Sequence, residues 1–323
     1  MRRSRFILAV VSLSALVMAS GSFAVSYAEA PLAGSSAAPP AGFNPLTASA
    51  ATLQEYGFPS RPTNAQSLAA WTVAMQHAKT YVPSDPVFGP AWPAPEIQPA
   101  TTSGQCSSNW AGYVDMSSNN GGTTYSDASA NWVVESVPSL GGSPVPEAAF
   151  WVGLDGWQSG SNSVMQAGTV SIANSPTPSY RMWYEDYPYN PTPVYNGPVI
   201  SPGNTVYVSV DYNGNSTADY FLENETTGNY TPVYNVTAPD YDGTSVDYIV
   251  EKPASSLPDF GSVPFSNAAF QSNTEGGYFG AFNDTPLTMV FTGSGCPAPS
   301  QDILAQPSSV SNQSNFTVTW KQE

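Results

Sequence analysis

Carboxylates and amides are the side chains of this sequence that could do chemistry, because histidine and cysteine are almost absent. The one histidine is His77, and the two cysteines are Cys106 and Cys296. A histidine-free domain after residue 100 excludes Ser-His-Asp and Cys-His catalysis, together with His-based zinc, copper and iron sites. Cysteine clusters, glycine-rich phosphate loops and EF-hand loops are also missing from the sequence. We therefore expect no metal and no cofactor.

Three kinds of enzyme use carboxylates without histidine. An aspartic peptidase needs two Asp-Thr/Ser-Gly turns, whereas the nearest fragment, Asp-Gly-Thr at 242–244, has the wrong order and stands alone. A glycosidase needs two carboxyls across a sugar cleft, and Glu185 and Glu251 in aromatic-rich segments could supply them. The third kind pairs one glutamate with a neutral partner such as an amide. A non-catalytic, carbohydrate-binding β-sandwich is the alternative outside the enzymes.

The segments that must position these groups have the pattern of β-strands. From residue 105 on, Val, Thr, Tyr and Trp alternate with other residues in short runs separated by Gly, Asn, Asp and Pro. Examples are residues 130–134, 205–210, 246–250 and 315–320. Alternation with period two suits half-buried strands. We therefore predict an all-β catalytic domain over residues 101–323, folded as a two-sheet antiparallel β-sandwich.

The charges are few and mostly negative. The 323 residues include 24 acidic and 8 basic ones, a net charge of −16. Such a chain is not attracted to nucleic acid or to an anionic membrane by its overall field. Beyond residue 100 only Arg181, Lys252 and Lys321 are basic, against 20 acidic residues. Because the carboxylates lose their charge at low pH and few cations remain to repel one another, the pattern favours an acid-adapted protein.

The N-terminal part has the composition of an exported precursor. Residues 1–30 combine three arginines, an apolar run and a small-residue cleavage site, which predicts a signal peptide and a secreted, extracellular protein. Residues 31–100 are rich in Ala and Pro, with one predicted helix at 65–81, and are interpreted as a propeptide and proline-rich linker. A small permanent N-terminal domain is the alternative. We predict that this segment covers the cleft, with Arg61 or Lys79 pairing with cleft carboxylates.

The two cysteines are predicted to pair. In an exported chain, Cys106 and Cys296 most simply form one disulfide, which closes a loop of 190 residues around almost the whole domain. Neither thiol is then available as a nucleophile.

Seven fragments, in the same order along the chain, resemble the glutamic peptidases (eqolisins), acid endopeptidases of fungi and some prokaryotes. They are Ser-Asn-Trp-Ala-Gly-Tyr at 108–113, Trp-Val-Gly-Leu-Asp-Gly at 151–156, Met-Gln-Ala-Gly-Thr at 165–169, Trp-Tyr-Glu-Asp-Tyr-Pro at 183–188, Tyr-Ile-Val-Glu at 248–251, Asp-Phe-Gly-Ser-Val-Pro-Phe at 259–265 and Phe-Thr-Val-Thr-Trp at 316–320. One fragment alone would be a weak signal, but the ordered set is specific. It covers most of residues 105–323.

The resemblance implies a concanavalin A-like β-sandwich with a Gln/Glu catalytic dyad and an inhibitory propeptide. The dyad falls on Gln166 and Glu251. The family's cleft elements fall on a second set of residues, interpreted as substrate-binding: Trp151, Asp155, Trp183 and Glu185. The sequence departs from the family at 252–253, where Lys-Pro replaces an acidic residue and an aromatic one, which puts the adjoining substrate contacts in doubt. Protein or peptide substrates, a monomer and metal-independent hydrolysis are the further expectations.

These two residue types suit peptide hydrolysis without a metal. A Glu251 carboxylate can take a proton from the attacking water, and the Gln166 amide can donate to the developing oxyanion. Asp155 and Glu185, protonated at working pH, could orient the dyad, while Trp151 and Trp183 could wall the cleft.

Overall fold

The computed structural model describes residues 37–92, 105–158, 161–274 and 276–323. The signal peptide predicted at 1–30 lies outside these residues, as do residues 93–100 of the predicted propeptide and linker. All of the described residues fall within one compact unit, and the domain boundary expected at residue 100 stays a prediction. Among the described residues, no helix is both long and apolar enough to cross a bilayer.

Strands make up most of the described chain, as its period-two alternation predicts. Two helices precede them, α1 (Ala50–Glu55) and α2 (Ala65–His77). In chain order the strands are β1 (Thr80–Tyr81), β2 (Val87–Phe88), β3 (Gln105–Ser107), β4 (Trp110–Met116), β5 (Tyr125–Val133), β6 (Glu147–Leu154), β7 (Val164–Ile172), β8 (Ser179–Tyr187), β9 (Asn190–Tyr195), β10 (Thr205–Gly214), β11 (Thr217–Asn224), β12 (Asn229–Thr237), β13 (Ser245–Glu251), β14 (Ser262–Ser272), β15 (Gly276–Tyr278), β16 (Asp284–Val290), β17 (Ile303–Pro307) and β18 (Phe316–Trp320).

The strands form a back sheet and a front sheet. The back sheet has the order β12–β11–β10–β5–β14–β18, and the front sheet has the order β16–β4–β13–β6–β7–β8–β9. Within both orders every neighbouring pair is antiparallel. β17 pairs with both β16 and β18, and so joins the sheets along one edge. The predicted all-β, two-sheet antiparallel β-sandwich is confirmed.

Successive side chains of a strand point to opposite sides of its sheet. In β13 the two sides belong to two different apolar clusters. Tyr248 and Val250 belong to the apolar core between the two sheets. Ile249 belongs to a second apolar cluster with Trp110, Trp151 and Trp183. This second cluster lies on the side of the front sheet that faces away from the back sheet, which we call the front face.

Residues 37–92, the N-terminal segment, pack on the sandwich at two places. Both helices begin at a side-chain cap, Ser49 for α1 and Asn64 for α2. Apolar residues of the helical part pack against Tyr207, Phe221 and Tyr230 on the outer side of the back sheet. Further along, β2 pairs with β9 at the edge of the front sheet. The helical part therefore covers the back sheet, and the end of the segment reaches the front one.

The helix predicted at 65–81 forms, but it ends at His77. Residues Thr80 and Tyr81 instead pair in parallel with Asn229 and Tyr230 of β12. The strand partner is distant in sequence, so the helical periodicity gives no sign of this switch.

The predicted disulfide is confirmed. Cys106 and Cys296 are bonded, with an S–S distance of 2.06 Å and a sequence separation of 190. Cys106 lies in β3, which pairs with β16 at one edge of the front sheet. The bond therefore ties the first strand after the linker to the C-terminal part of the domain.

Candidate active site

Gln166 and Glu185 lie side by side on the front face. The register of β6, β7 and β8 places Gly153, Gln166 and Glu185 in one row across three strands. Gln166 Nε2 donates a hydrogen bond of 2.7 Å to Glu185 Oε2, and both side chains are buried. Gln166 Oε1 has no hydrogen-bond partner among the described residues. One amide hydrogen and the carbonyl oxygen of Gln166 are therefore available to another group.

Glu251 ends β13 on the same face. Its strand pairs Ile249 with Trp151 and Glu251 with Ala149 of β6, so Glu251 shares the side of the sheet that carries Trp151. Trp151 Nε1 donates to Glu251 Oε2 at 2.9 Å, and Asn109 Nδ2 donates to Glu251 Oε1 at 3.3 Å. Two neutral donors thus hold the two oxygens of one buried carboxyl.

Asn109 is oriented by the turn that precedes β4. Ser107 Oγ donates to Asn109 Oδ1 at 2.9 Å and accepts from the backbone N–H groups of Asn109 and Trp110. This arrangement is a local serine turn, and it leaves the Asn109 amide N–H to face Glu251. The Asn109 carbonyl also accepts from the Lys252 N–H at 2.8 Å. Asn109 therefore holds both the side chain and the following backbone of Glu251.

Trp151 connects the two halves of the site. Besides its bond to Glu251, its ring lies beside Gly153, where an added Cβ would be 3.0 Å from Trp151 Cζ3 and 3.2 Å from Gln166 Cβ. A glycine at 153 therefore lets the indole and the Gln166 side chain approach each other. The structure brings Gln166, Glu185, Trp151 and Glu251 together on one face.

Electrostatics distinguishes the two glutamates. Burial raises the pKa of Glu185 to about 8, the negative charge of Glu251 adds to this rise, and the bond from Gln166 opposes it. Burial also raises the pKa of Glu251, to about 7, against the lowering effect of Trp110, Trp151 and Asn109. The Trp110 indole N–H lowers the pKa of Glu251 although it forms no hydrogen bond with a described residue. Glu251 therefore ionises first, while Glu185 keeps its proton.

Asp155 holds a loop. It has a left-handed backbone with φ of 69°, and its carboxylate accepts from the backbone N–H groups of residues 242, 243 and 244 and from the Thr244 hydroxyl. Burial raises its pKa, although these four bonds lower it. With both oxygens engaged, Asp155 holds the loop at 242–244 that leads into β13, and its contact with substrate stays a prediction.

Trp183 lies on the front face, fully buried. The ring of Trp92, from the N-terminal segment, stands edge-on against it, with centroids 4.7 Å apart and an interplanar angle of 81°. Trp151 and Trp183 are thus part of the front-face cluster, but in this structure other side chains cover both. Their role as cleft walls stays a prediction.

Arg61 corrects one expectation about the N-terminal segment. Its guanidinium donates to the carbonyl oxygens of Pro45, Leu46 and Ala48 and lies 5.2 Å from the centroid of the Trp71 ring. It is therefore occupied within its own segment, and the pairing with a cleft carboxylate predicted for Arg61 is wrong. Lys79 forms no ion pair with a carboxylate among the described residues.

Sequence reasoning missed several groups that touch the site. Asn109 and Trp110 fall in the fragment at 108–113, but their types alone suggest no contact with a glutamate 142 residues away. Away from these contacts, sequence reasoning also missed that Asp115, Asp186 and Asp247 are buried, and burial raises the pKa of each. Their alternation with apolar residues was a signal for strands but not for burial. No group of three or more His, Cys, Asp or Glu in the described chain could hold a metal ion.

Comparison with known proteins identifies one family. The model of the Peptidase A4 family matches residues 108–320. Scytalido-glutamic peptidase, solved with a transition-state analog inhibitor, is 20% identical with a TM-score of 0.52, covering 66% of this chain and 98% of its own. SCP-B, an eqolisin solved with the tripeptide Ala-Ile-His, has the same identity and coverages and a TM-score of 0.50. Both share the fold of this chain. No curated protein sequence matches it significantly.

Proposed function

Because the chain belongs to the Peptidase A4 family, a family of peptidases, we propose that it is a secreted acid endopeptidase in which Glu251 and Gln166 form the catalytic dyad. Protein or peptide chains are its substrates. Neither a metal nor a cofactor takes part in the proposed reaction, because the dyad itself supplies the base, the oxyanion donor and the acid.

The proposed reaction has two steps. The Glu251 carboxylate removes a proton from a water molecule as the water oxygen attacks the scissile carbonyl carbon. The Gln166 N–H that is not bonded to Glu185 donates to the developing oxyanion, a contribution of about 3–4 kcal/mol to transition-state stabilisation for one such donor. Glu251, now protonated, then gives the proton to the amine as the carbon–nitrogen bond breaks. The Glu251 carboxylate is thereby regenerated.

The observation that carries the proposal is the connection between Gln166 and Glu251 on one face. Glu185 bonds to Gln166 at 2.7 Å, and its pKa responds to the charge of Glu251. Trp151 bonds to Glu251 and packs beside Gly153, next to Gln166. A neutral Glu185 fixes the Gln166 amide without competing for the proton of the attacking water. We therefore assign Glu185 as a positioning residue and Glu251 as the base.

The pKa values set a condition on the pH of activity. A general base works when it is ionised, so activity rises with pH through the pKa of Glu251, which burial raises to about 7 here. Activity at pH 3 therefore requires water to reach Glu251 and lower this pKa. Removal of the proposed propeptide, residues 31–100, is the proposed cause, because Trp92 shares a cavity with Pro253, two residues after Glu251.

Residues 31–100 are proposed to be the propeptide and linker, preceded by the signal peptide at 1–30. Of the described residues among them, the helical part packs on the back sheet, and the end, at β2 and Trp92, reaches the front sheet. Inhibition is therefore assigned to that end rather than to Arg61 or Lys79. The processed enzyme is proposed to be a monomer.

Casein hydrolysis at pH 3 tests the proposal, with the full chain first incubated at that pH so that the propeptide can be removed. Gln166→Ala and Glu251→Gln should each lose at least about a hundredfold in kcat, the loss typical of one oxyanion donor or more, while Glu135→Gln, outside the front-face cluster, serves as the matched control. Chelator and pepstatin should have no effect. Full activity in either dyad variant would refute the assignment.

The alternatives predict other outcomes of the same experiment. A glycosidase using Glu185 and Glu251 would release reducing sugar and would be indifferent to Gln166→Ala. A carbohydrate-binding sandwich would retain glycan and turn over no substrate.

A further inference from the structure

On the front face, the end of the N-terminal segment places one side chain, Trp92, in contact with the front sheet. Trp92 Nε1 donates a hydrogen bond of 2.9 Å to Glu147 Oε2, and the Trp92 ring packs edge-on against Trp183. Glu147 is buried and begins β6. Burial raises its pKa, while the bond from Trp92 lowers it. One indole is therefore held at both its ring and its N–H by residues of the front sheet.

The chain enters this place in an extended form. Val87 and Phe88 pair with Tyr195 and Val194 of β9, and the Gly89 N–H donates to the Pro193 carbonyl at 2.8 Å. The segment thus adds a strand to the sheet edge before it delivers Trp92. An extended peptide that pairs with a sheet edge and places one side chain in a pocket is a common mode of peptide recognition.

A cavity of about 640 Å³ extends from Trp92 to residues 253–255, which follow the proposed base along the chain. One wall is formed by Trp92, Val145 and Glu147, and another by Pro253 and its neighbours 254–255. Glu251 lies two residues before Pro253, so the cavity joins the place of Trp92 to the end of β13. A polypeptide bound across Glu251 would therefore have room to place a side chain where Trp92 now lies.

We propose that Glu147, Trp183 and Val145 form a substrate subsite that selects an aromatic side chain with an N–H donor, above all tryptophan, and that Trp92 occupies this subsite in the precursor. The inference rests on the proposed peptidase function for its substrate. Trp183 contributes the ring contact, which any aromatic side chain could use. Glu147 contributes an acceptor for the indole N–H, which phenylalanine and leucine cannot satisfy. At low pH, where its carboxyl is neutral, the carbonyl oxygen of Glu147 still accepts.

Binding tests the subsite without any need for catalysis. In the full chain, Trp92→Ala vacates the subsite, and N-acetyl-tryptophanamide and N-acetyl-phenylalaninamide are titrated at pH 4 by NMR. The tryptophan probe should bind about fivefold tighter than the phenylalanine probe, the worth of one neutral hydrogen bond. Phe88→Ala, which removes an exposed aromatic of the same segment, is the matched control and should bind neither probe at this place. Equal affinity of Trp92→Ala for both probes would overturn the proposal.

Cleavage selectivity gives the second measurement. After incubation at pH 3, the full chain is assayed on peptides that differ only by Trp, Phe or Ala at one position at a time. Glu147→Leu should abolish the preference for Trp over Phe, whereas Glu147→Gln, which keeps an acceptor, should retain it. A Trp preference that survives Glu147→Leu would overturn the role of Glu147.

The two proposals fail separately. Binding selectivity without hydrolysis of casein or peptides would leave the subsite standing and refute the peptidase assignment. Hydrolysis with no preference for Trp at any position would refute the subsite and leave the dyad standing.

Discussion

Replacing Glu223 by glutamine should stabilise the protein at neutral pH and leave its stability unchanged in acid. Glu223 lies in β11, fully buried on the outer side of the back sheet, where the register places it between Tyr207 and Tyr230. Neither carboxyl oxygen has a hydrogen-bond partner among the described residues. Burial, followed by the charge of Glu225, raises its pKa from 4.5 to about 9. The folded protein therefore keeps Glu223 protonated at neutral pH, whereas the unfolded chain ionises it.

The size of the effect follows from proton linkage. A carboxyl whose pKa is raised on folding contributes its full stability below pH 4.5 and loses it as the pH rises towards 9. At 1.36 kcal/mol for each pH unit above 4.5, the wild-type protein loses about 3 kcal/mol at pH 7 through this one group. Glutamine is neutral in both states and has nearly the same shape. Glu223→Gln should therefore gain about 3 kcal/mol over wild type at pH 7 and close to nothing at pH 4.

Denaturant unfolding followed by tryptophan fluorescence at pH 4 and pH 7 measures this difference. Glu55→Gln, an exposed carboxyl on α1, is the control and should change the unfolding free energy by less than about 0.5 kcal/mol at either pH. An equal effect of Glu223→Gln at both pH values would show that packing rather than protonation dominates. A loss of stability at pH 7 would refute the reasoning.

Three further outcomes are expected. The double variant Cys106→Ser with Cys296→Ser should lose up to about 5 kcal/mol of unfolding free energy at pH 4, because the disulfide closes a very long loop. Denaturant unfolding measures this loss, and an unchanged unfolding free energy would contradict the prediction. Glu185→Leu should lower kcat about tenfold more than Glu185→Gln, with little difference in KM. The reason is that leucine cannot accept a hydrogen bond from the Gln166 N–H, so the amide loses its orientation. Equal kcat values of the two variants would refute the positioning role. The acid limb of the pH–rate profile, which follows Glu251, should lie at lower pH in acid-processed protein than in unprocessed protein, since hydration lowers a pKa raised by burial; coincident limbs would argue against the covering segment.

The fold could be predicted because its signal is local. Alternation at 205–210 and 246–250 places β10 and β13 correctly, and both belong to antiparallel ladders. The same period places Ile249 and Glu251 on one face. Pairing with a distant strand leaves no such trace, so the parallel addition of Thr80–Tyr81 to β12 could not be anticipated. The short helix Ala50–Glu55 was also missed, since six residues carry too little periodicity.

The sequence predicts the main residues of the candidate site but not the residues that contact them. The family fragments contain Gln166, Glu185 and Glu251, which the fold brings to one face. The partners that tune them could not be foreseen, since Asn109 reaches Glu251 only through the pairing of β4 with β13. Composition counts the carboxyls but does not indicate that many of them are buried. A charge count does not reveal burial, because an outer sheet face becomes interior only when another segment covers it.

Cleavage of the chain and release of the N-terminal segment are two separate events in this structure. The segment's attachment to the back sheet includes the β1–β12 pairing and the packing of Leu53, Phe58 and Trp71 against that sheet. Hydrolysis of one bond between residues 92 and 105 would remove none of these contacts. Such a nick would yield two polypeptides that migrate apart under denaturing conditions yet elute together in native buffer, so that dissociation, rather than scission, would set the pace at which the back sheet is uncovered.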